Sequence, residues 1–165
     1  MHRAHAVREA DWPGDAHVVR TLFEEYAASL GFSLCFQDFD RELAELPGDY
    51  APPRGVVLLA DEDDACVGCV ALRPIHLSDQ RAAPACEMKR LYVRPAGRGT
   101  GVGRQLCEHL IGFARAAGYR RMLLDTVATM HAAIGLYRAL GFVEIAAYRH
   151  NPLPDVRYFE LPIAT

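Results

Sequence analysis

Apolar residues along this chain recur in blocks of period two and period 3.6, separated by polar breaks, and the blocks read as alternating strands and helices. HAVREA (5–10) predicts a short first strand. Val18, Val19, Leu22, Phe23 and Tyr26 share a helical face, so a helix is predicted from Asp15, as cap, to about Leu30, where Gly31 stops it. QDFDRELAEL (37–46) predicts a second, shorter helix that starts at Asp38 and ends at Pro47 and Gly48. GDYAPPRG (48–55) is a loop. VVLLADEDD and ACVGCVALRP (56–74) predict an antiparallel hairpin that turns through the acidic cluster. The polar connection HLSDQRAAP (76–84) leads to the strand CEMKRLYV (86–93). Strict alternation puts Glu87, Lys89, Leu91 and Val93 on one face of that strand, and Met88, Arg90 and Tyr92 on the other.

Beyond a glycine-rich stretch, Val102, Leu106, Leu110, Ile111, Ala114 and Ala117 repeat at helical spacing, and Gly118 ends the helix. RRMLLDTV (120–127) predicts a strand. MHAAIGLYRAL (130–140) predicts a helix capped by Thr129 and closed by Gly141, and FVEIAAY (142–148) and VRYFELPI (156–163) predict an antiparallel pair. This order predicts an α/β fold on a mixed sheet: an antiparallel first half, one strand–loop–helix–strand crossover, then a helix and a hairpin.

A length of 165 residues suits one domain, 1–165, with a single sizeable core. The formal net charge of −3 argues against general nucleic-acid binding, which shows as a basic balance. The longest strong apolar run, VVLLA, is far short of a membrane span, and the first fifteen residues lack a signal-peptide core. A cytoplasmic protein with no membrane or nucleic-acid partner is expected. Five cysteines without a framework spacing fit reduced thiols. In CVGC (66–69), strand alternation sends the two sulfurs to opposite faces, so both cysteines read as small hydrophobes rather than as a redox or metal pair. The seven histidines are scattered, none at a metal-site spacing to carboxylates, and no metal is expected.

The stretch VRPAGRGTGVGRQL (93–106) holds four glycines between a strand and the start of a helix. Glycine is costly to order, so a loop this rich in it has something to hold. Helix N-termini carry free N–H groups and partial positive charge, and glycines let the backbone approach a phosphate closely. Lys89, Arg90, Arg94, Arg98 and Arg104 lie in a span without acidic residues, a local reversal of the chain's net charge that points to an anionic ligand. The Walker ending Gly-Lys-Ser/Thr is absent. A dinucleotide fingerprint, with Asp125 as ribose ligand, has the right element order, but Leu106 stands where the third glycine belongs, and five residues separate the strand from Gly99.

The pattern that fits is Arg98-x-x-Gly101-x-Gly103. With LYV (91–93) upstream and LYRALGF (136–142) downstream, the chain resembles the GCN5-related N-acetyltransferase (GNAT) superfamily, strongly over 87–148 and elsewhere by element order. That resemblance implies a central, mostly antiparallel sheet with one parallel strand pair splayed at the cofactor site and helices on both faces. It implies acetyl-CoA as co-substrate. The N–H groups of Arg98, Gly99, Thr100, Gly101, Val102, Gly103 and Arg104 would hold the coenzyme's pyrophosphate. The backbone of Leu91, Tyr92 and Val93 would pair with its pantetheine arm as an added strand does.

By the same resemblance, Tyr137 matches the tyrosine that in many members gives a proton to the departing thiolate; it shares a helix face with Met130 and Ile134, and the alternative is a core tyrosine. Glu87 matches the position of a base glutamate in some members, and the alternative is a strand carboxylate paired with an arginine. Met130 stands where many members carry a coenzyme-contacting asparagine, so that role is not carried over. Acceptors in the superfamily meet the early helices and the final hairpin, which singles out Phe36, Gln37, Tyr50, Tyr148 and His150. CEMKRLYV together with residues 30–55 is similar to a bacterial small-molecule branch. This implies the primary amine of a metabolite or short peptide, attacked directly in a ternary complex. A non-catalytic acyl-CoA-binding sensor and a dinucleotide-binding protein remain as alternatives, and a homodimer is left open.

Overall fold

The computed structural model describes residues 5–34, 38–78 and 83–164. Their order is β1 (Ala6–Glu9), α1 (Ala16–Ser29), α2 (Phe39–Ala44), β2 (Val56–Glu62), β3 (Ala65–Ile75), β4 (Ala85–Val93), α3 (Val102–Ala116), β5 (Arg121–Val127), α4 (His131–Ala139), β6 (Val143–Ile145) and β7 (Val156–Pro162). The strands form one sheet in the order β1-β2-β3-β4-β5-β7-β6. Neighbours are antiparallel except β4 and β5, which run parallel and are joined through α3. This is the mixed sheet that the element order predicts. Among the described residues no helix is long and apolar enough to cross a membrane.

Alternating strand positions feed two apolar layers. On one side Leu58, Val70, Leu72, Met88, Met122, Leu124 and Phe159 pack against Leu106 and Leu110 of α3 and Tyr137 of α4. On the other, Val57, Leu59, Cys69, Ala71 and Tyr92 pack against Val19, Leu22 and Phe23 of α1 and Phe39 of α2. Helix ends follow the predicted stops: Gly31, Gly118 and Gly141 all have positive φ.

Two bulges change the expected faces. Between β3 and β4, Cys69 pairs with Tyr92 but Ala71 pairs with Lys89, so β4 carries one extra residue. Arg90 takes up the kink at φ +61°. One inserted residue shifts the side-chain phase. Leu91 and Val93 therefore pack in the same layer as Cys86 and Met88, not with Glu87 and Lys89 as alternation predicts. In β3, Cys66 pairs with Asp61 and Gly68 with Ala60, again one residue in excess. Cys66 and Cys69 consequently share the α1 layer, and their sulfurs do not diverge. Both are free thiols whose pKa burial pushes up, so neither is a reactive thiolate.

Smaller departures have local causes. Asp15 sits at the start of α1, but its side chain makes no cap; it accepts from the Asp11 N–H and from Arg8 instead. The predicted strand 142–148 is ordered as strand only over Val143–Ile145. Past it the chain leaves the sheet and carries the Tyr148 hydroxyl to Glu87 on β4.

Candidate active site

The parallel pairing of β4 and β5 is short: Ala85 with Arg121, Cys86 with Met122, Glu87 with Leu123. Beyond Glu87 the strands part, although β4 runs on to Val93 and β5 to Val127. The β5-side edge of β4 from Met88 onward thus has no strand partner, and unpaired strand edges recruit added strands. A cleft of about 50 Å³ opens in the gap. Met88, Leu124, Met130 and Ala133 give it apolar walls, and Lys89, Asp125 and Tyr137 give it polar groups.

At the far end of β4 the glycine stretch makes a turn after Pro95–Gly97 and enters α3. Gly99 and Gly101 stand at φ +76° and +89°, a region L side chains rarely occupy, and Gly101 is the first boundary residue of α3. The first turn of α3 has no acidic residue and no side-chain cap. Its leading N–H groups, at Val102, Gly103 and Arg104, have no intrahelical acceptor and form the unneutralised positive end of the helix dipole. A Cβ on Gly103 would lie 3.7 Å from both Val93 and Leu136, so the bare backbone at the start of α3 lies beside β4 and α4. Thr100 steadies the turn by donating to the Gly97 carbonyl, and the Arg98 Nε–H donates to the Val93 carbonyl at 3.0 Å. Free N–H groups past the end of β4 and an unpaired edge along that strand suit a ligand with a diphosphate and an amide-bearing arm.

The five cations read from sequence as one anion-attracting cluster are not one patch. Arg90 binds Glu42 of α2 at 2.9 Å, Arg94 binds Glu25 of α1 at 2.7 Å, and Arg104 binds Glu108 one turn on at 2.9 Å. Folding brings acids from other segments to charges that look unopposed along the chain. The backbone of the turn, not a cationic patch, is what this end offers an anion.

Tyr137 is 7% exposed, packed against Phe142 and Phe159, and lines the cleft. Its hydroxyl makes no hydrogen bond among the described residues, and burial holds its pKa well above the ordinary value. It stays protonated, as a proton donor must. Glu87 is fully buried. Its carboxylate accepts from Arg73 at 2.9 Å and from the Tyr148 hydroxyl at 2.6 Å, and it contacts Arg149. Arg149 also faces Asp125 at 3.5 Å. Burial and the nearby Arg73 push its pKa down to about 10.

Of the acceptor candidates, Tyr50 is buried and donates to Glu42 at 2.9 Å, and Tyr148 reaches Glu87. His150 is exposed, and Phe36 and Gln37 lie outside the described residues. A larger open cleft, of about 360 Å³, lies beside α2; Asp38, Glu42, Glu45 and Asp49 line it together with Arg41, which pairs with Glu45, and Arg73. Arg73, Arg149 and Glu42 escape a sequence reading because they come from β3, the β6–β7 connection and α2, and Asp125 of β5 enters it only as the ribose ligand of the dinucleotide alternative. No local spacing marks them. Lys89 carries a signal only in hindsight: a lysine in an apolar strand demands an explanation.

The comparisons with known proteins agree with this geometry. The family description "Acetyltransferase (GNAT) family" matches residues 18–142. An uncharacterized N-acetyltransferase of Schizosaccharomyces pombe is 40% identical over 153 residues, which are 92% of this chain and 91% of that protein. An aminoglycoside N(6')-acetyltransferase type 1 of Stenotrophomonas maltophilia is 32% identical over 129 residues, 76% of this chain and 79% of that protein. The structure of yncA from Salmonella typhimurium with its cofactor acetyl-CoA shares the fold with a TM-score of 0.72 at 23% identity, covering 98% of this chain and 95% of that one. The splayed strands, the glycine turn ahead of α3 and the family match over most of the chain lead to one conclusion: this protein belongs to the acetyltransferase (GNAT) family.

Proposed function

We propose that the protein moves the acetyl group of acetyl-CoA to a primary amine of a small molecule or short peptide, by direct attack within a ternary complex. The observation that carries this reading is the parting of β4 from β5 just beyond Glu87 and Leu123, with the α3 N-terminus at one end and Tyr137 in the gap. The coenzyme, when bound, supplies an activated thioester. The Arg98 N–H, expected from the sequence to join the phosphate site, donates to the Pro95 carbonyl, so the N–H groups of residues 99–104 hold the pyrophosphate, and the edge at Leu91, Tyr92 and Val93 takes the amide arm as an added strand. The acetyl end lies in the cleft, where Met130 offers an apolar contact.

Tyr137 gives its proton to the departing sulfur. Its raised pKa keeps the proton in place until a stronger base, the thiolate, develops. We assign Glu87 a positioning role in place of the base role found in some relatives. Two guanidiniums and a phenol already occupy its oxygens, so taking a proton would mean giving up those partners. The acceptor enters through the larger cleft, whose four carboxylates, two of them paired with Arg41 and Arg90, outnumber its guanidiniums of Arg41 and Arg73 and leave it favourable to a cationic amine. The Stenotrophomonas relative, named for an aminoglycoside, makes a small polyamine-like acceptor the first class to try.

A panel of primary amines with acetyl-CoA, read by release of free thiol, tests the proposal. Turnover with at least one small amine is expected. Coenzyme A binding without thiol release across the panel would favour a non-catalytic sensor. A larger thermal shift with NAD than with coenzyme A would revive the dinucleotide reading.

A further inference from the structure

We propose that the acceptor is an α-amino acid, with its carboxylate held by Arg149 and Arg73 and its amino group beside Asp125. The inference deepens the reading above and rests on it.

The two guanidiniums come from distant segments and meet on one anchor. Arg73 of β3 pairs in register with Glu87 of β4, and Leu123 of β5 pairs with Glu87 from the other side. One oxygen of the buried Glu87 carboxylate accepts from Arg73 Nε at 3.0 Å and from its Nη2 at 2.9 Å. The other accepts from the Tyr148 hydroxyl and contacts Arg149. The chain that brings Arg149 is itself fixed. The Tyr158 hydroxyl donates to the Arg149 carbonyl at 2.9 Å, the Tyr148 and Tyr158 rings meet edge to face, and the Arg149 guanidinium lies 5.2 Å from the Tyr148 ring centre. Neither guanidinium can swing away without leaving a buried carboxylate short of a partner.

Glu87 does not use up the pair. Each guanidinium carries five N–H donors in a rigid plane. Arg73 commits Nε and Nη2 to Glu87, and its Nη1 makes no hydrogen bond among the described residues. Arg149 Nε is buried and has no hydrogen-bond partner among the described residues. A buried donor left unpaired is costly and marks the place of a missing acceptor. The Arg73 and Arg149 side chains are 25% and 29% exposed, so a ligand can reach them from solvent. Burial, and after it the charge of Arg73, disfavours the Arg149 cation. A second carboxylate between the two relieves that repulsion and matches the planar fork of each.

Asp125 sets where the amine goes. It lies two residues beyond Leu123 on the same face of β5, where β4 has parted, and it lines the small cleft together with Tyr137. Its Oδ2 accepts from Asn151 at 3.1 Å and lies 3.5 Å from Arg149 Nε, and its Oδ1 makes no hydrogen bond among the described residues. A guanidinium and a carboxylate this close present opposite charges side by side. An α-amino acid carries its carboxylate and its amine on one carbon, so a carboxylate on Arg149 places the amine beside Asp125, in the cleft that takes the acetyl group. A polyamine has nothing to offer the guanidiniums. Arg73 also lines the larger cleft, which joins the entrance of the acceptor to this pair.

The test compares probes that differ at the carboxylate: L-phenylalanine, L-leucine and L-alanine against their carboxamides and against phenethylamine, isoamylamine and ethylamine. Titration calorimetry on the coenzyme A-loaded protein reads binding without turnover. At least one amino acid should bind roughly ten- to a hundredfold tighter than both of its carboxylate-free partners, the worth of hydrogen bonds to a charged group. Arg149→Gln and Arg73→Gln should bring that ratio close to one. Arg149→Lys, which keeps the charge but not the fork, should restore only part of it. Arginines that serve the fold alone would weaken all probes alike and leave the ratio unchanged, which overturns the proposal. So does a carboxylate-free amine, or spermidine, that binds as tightly as the amino acids, and so does a lack of binding by all three amino acids. The wild-type comparison decides the matter even where a glutamine variant does not fold. Acetyl-CoA then separates this inference from the function it rests on. A carboxylate preference without release of thiol keeps the site and fails acetyl transfer; thiol release with spermidine alone keeps acetyl transfer and overturns the site.

Discussion

Gly103→Ala should separate stability from binding. The position is the second residue of α3 and has ordinary helical φ, so alanine removes the entropic cost of a helical glycine, up to about 1 kcal/mol. The added methyl meets Val93 and Leu136 at 3.7 Å, ordinary contact that needs no shift of either neighbour. For a chain of this size about 1 kcal/mol is about 2–4 °C in Tm. The ligand-free variant should therefore melt up to that much higher than the wild type. The same methyl stands beside the first N–H groups of α3 and keeps a pyrophosphate from its close approach to them. Coenzyme A affinity should fall at least about tenfold, a loss of about 1.4 kcal/mol. Gly101→Ala provides the contrast. Its Cβ would meet nothing within 4 Å, but φ is +89°, and the strain costs about 1–2 kcal/mol. That variant should melt about 2–8 °C lower. Differential scanning calorimetry and titration calorimetry with coenzyme A read both quantities. A Gly103→Ala protein that binds coenzyme A as the wild type does would refute the placement of the phosphate site.

The remaining expectations are shorter. Tyr137→Phe keeps the ring packed on Phe142 and Phe159 and removes the proton. The turnover number should fall roughly ten- to a thousandfold with little change in the Michaelis constant for acetyl-CoA, and unchanged turnover where chemistry limits the rate would reduce Tyr137 to packing. Glu42→Ala removes the carboxylate from the Arg90 guanidinium, whose side chain is 2% exposed and lies against the rings of Tyr26 and Phe39. Breaking such a pair costs about 3–5 kcal/mol, and a loss below about 1 kcal/mol in urea denaturation would show that the pair does not anchor the bulge. Glu87→Gln should raise the acceptor Michaelis constant by releasing Arg73 and Arg149; a rate depressed at neutral pH that recovers at high pH, where the acceptor amine is already deprotonated, would return the base role to Glu87. Lys89 also sets a stability profile, because its pKa falls from 10.5 to about 7 on folding. The unfolded chain binds more protons between those values, so the burial penalty is full below about pH 7 and gone above about pH 10.5. Lys89→Met should therefore stabilise the protein more at pH 6 than at pH 10.5, and an equal gain at both would contradict the depressed pKa.

Periodicity alone determined the element order, because each strand or helix carries its apolar face in its own residues: Val102, Leu106 and Leu110 announce α3 whatever they pack on. The glycine turn was legible for a related reason. A backbone that must take φ +76° and +89° within three residues leaves its mark as glycine at 99 and 101. Tertiary structure decided what depends on partners far along the chain. The bulge at Arg90 has no sequence signature, since it answers to the pairing of β3 and to Glu42, 48 residues away, and it alone decides which layer Leu91 and Val93 join. The CVGC sulfurs were misplaced by the same kind of register shift. Five cations that look like one anion site along the chain are, in space, charges tied down or buried separately, because oppositely charged side chains find one another only on folding. Lys89 shows the division most plainly. Its presence is written in the sequence, but its pKa depends on burial beneath helices drawn from elsewhere in the chain, and desolvation is a property of the assembled fold.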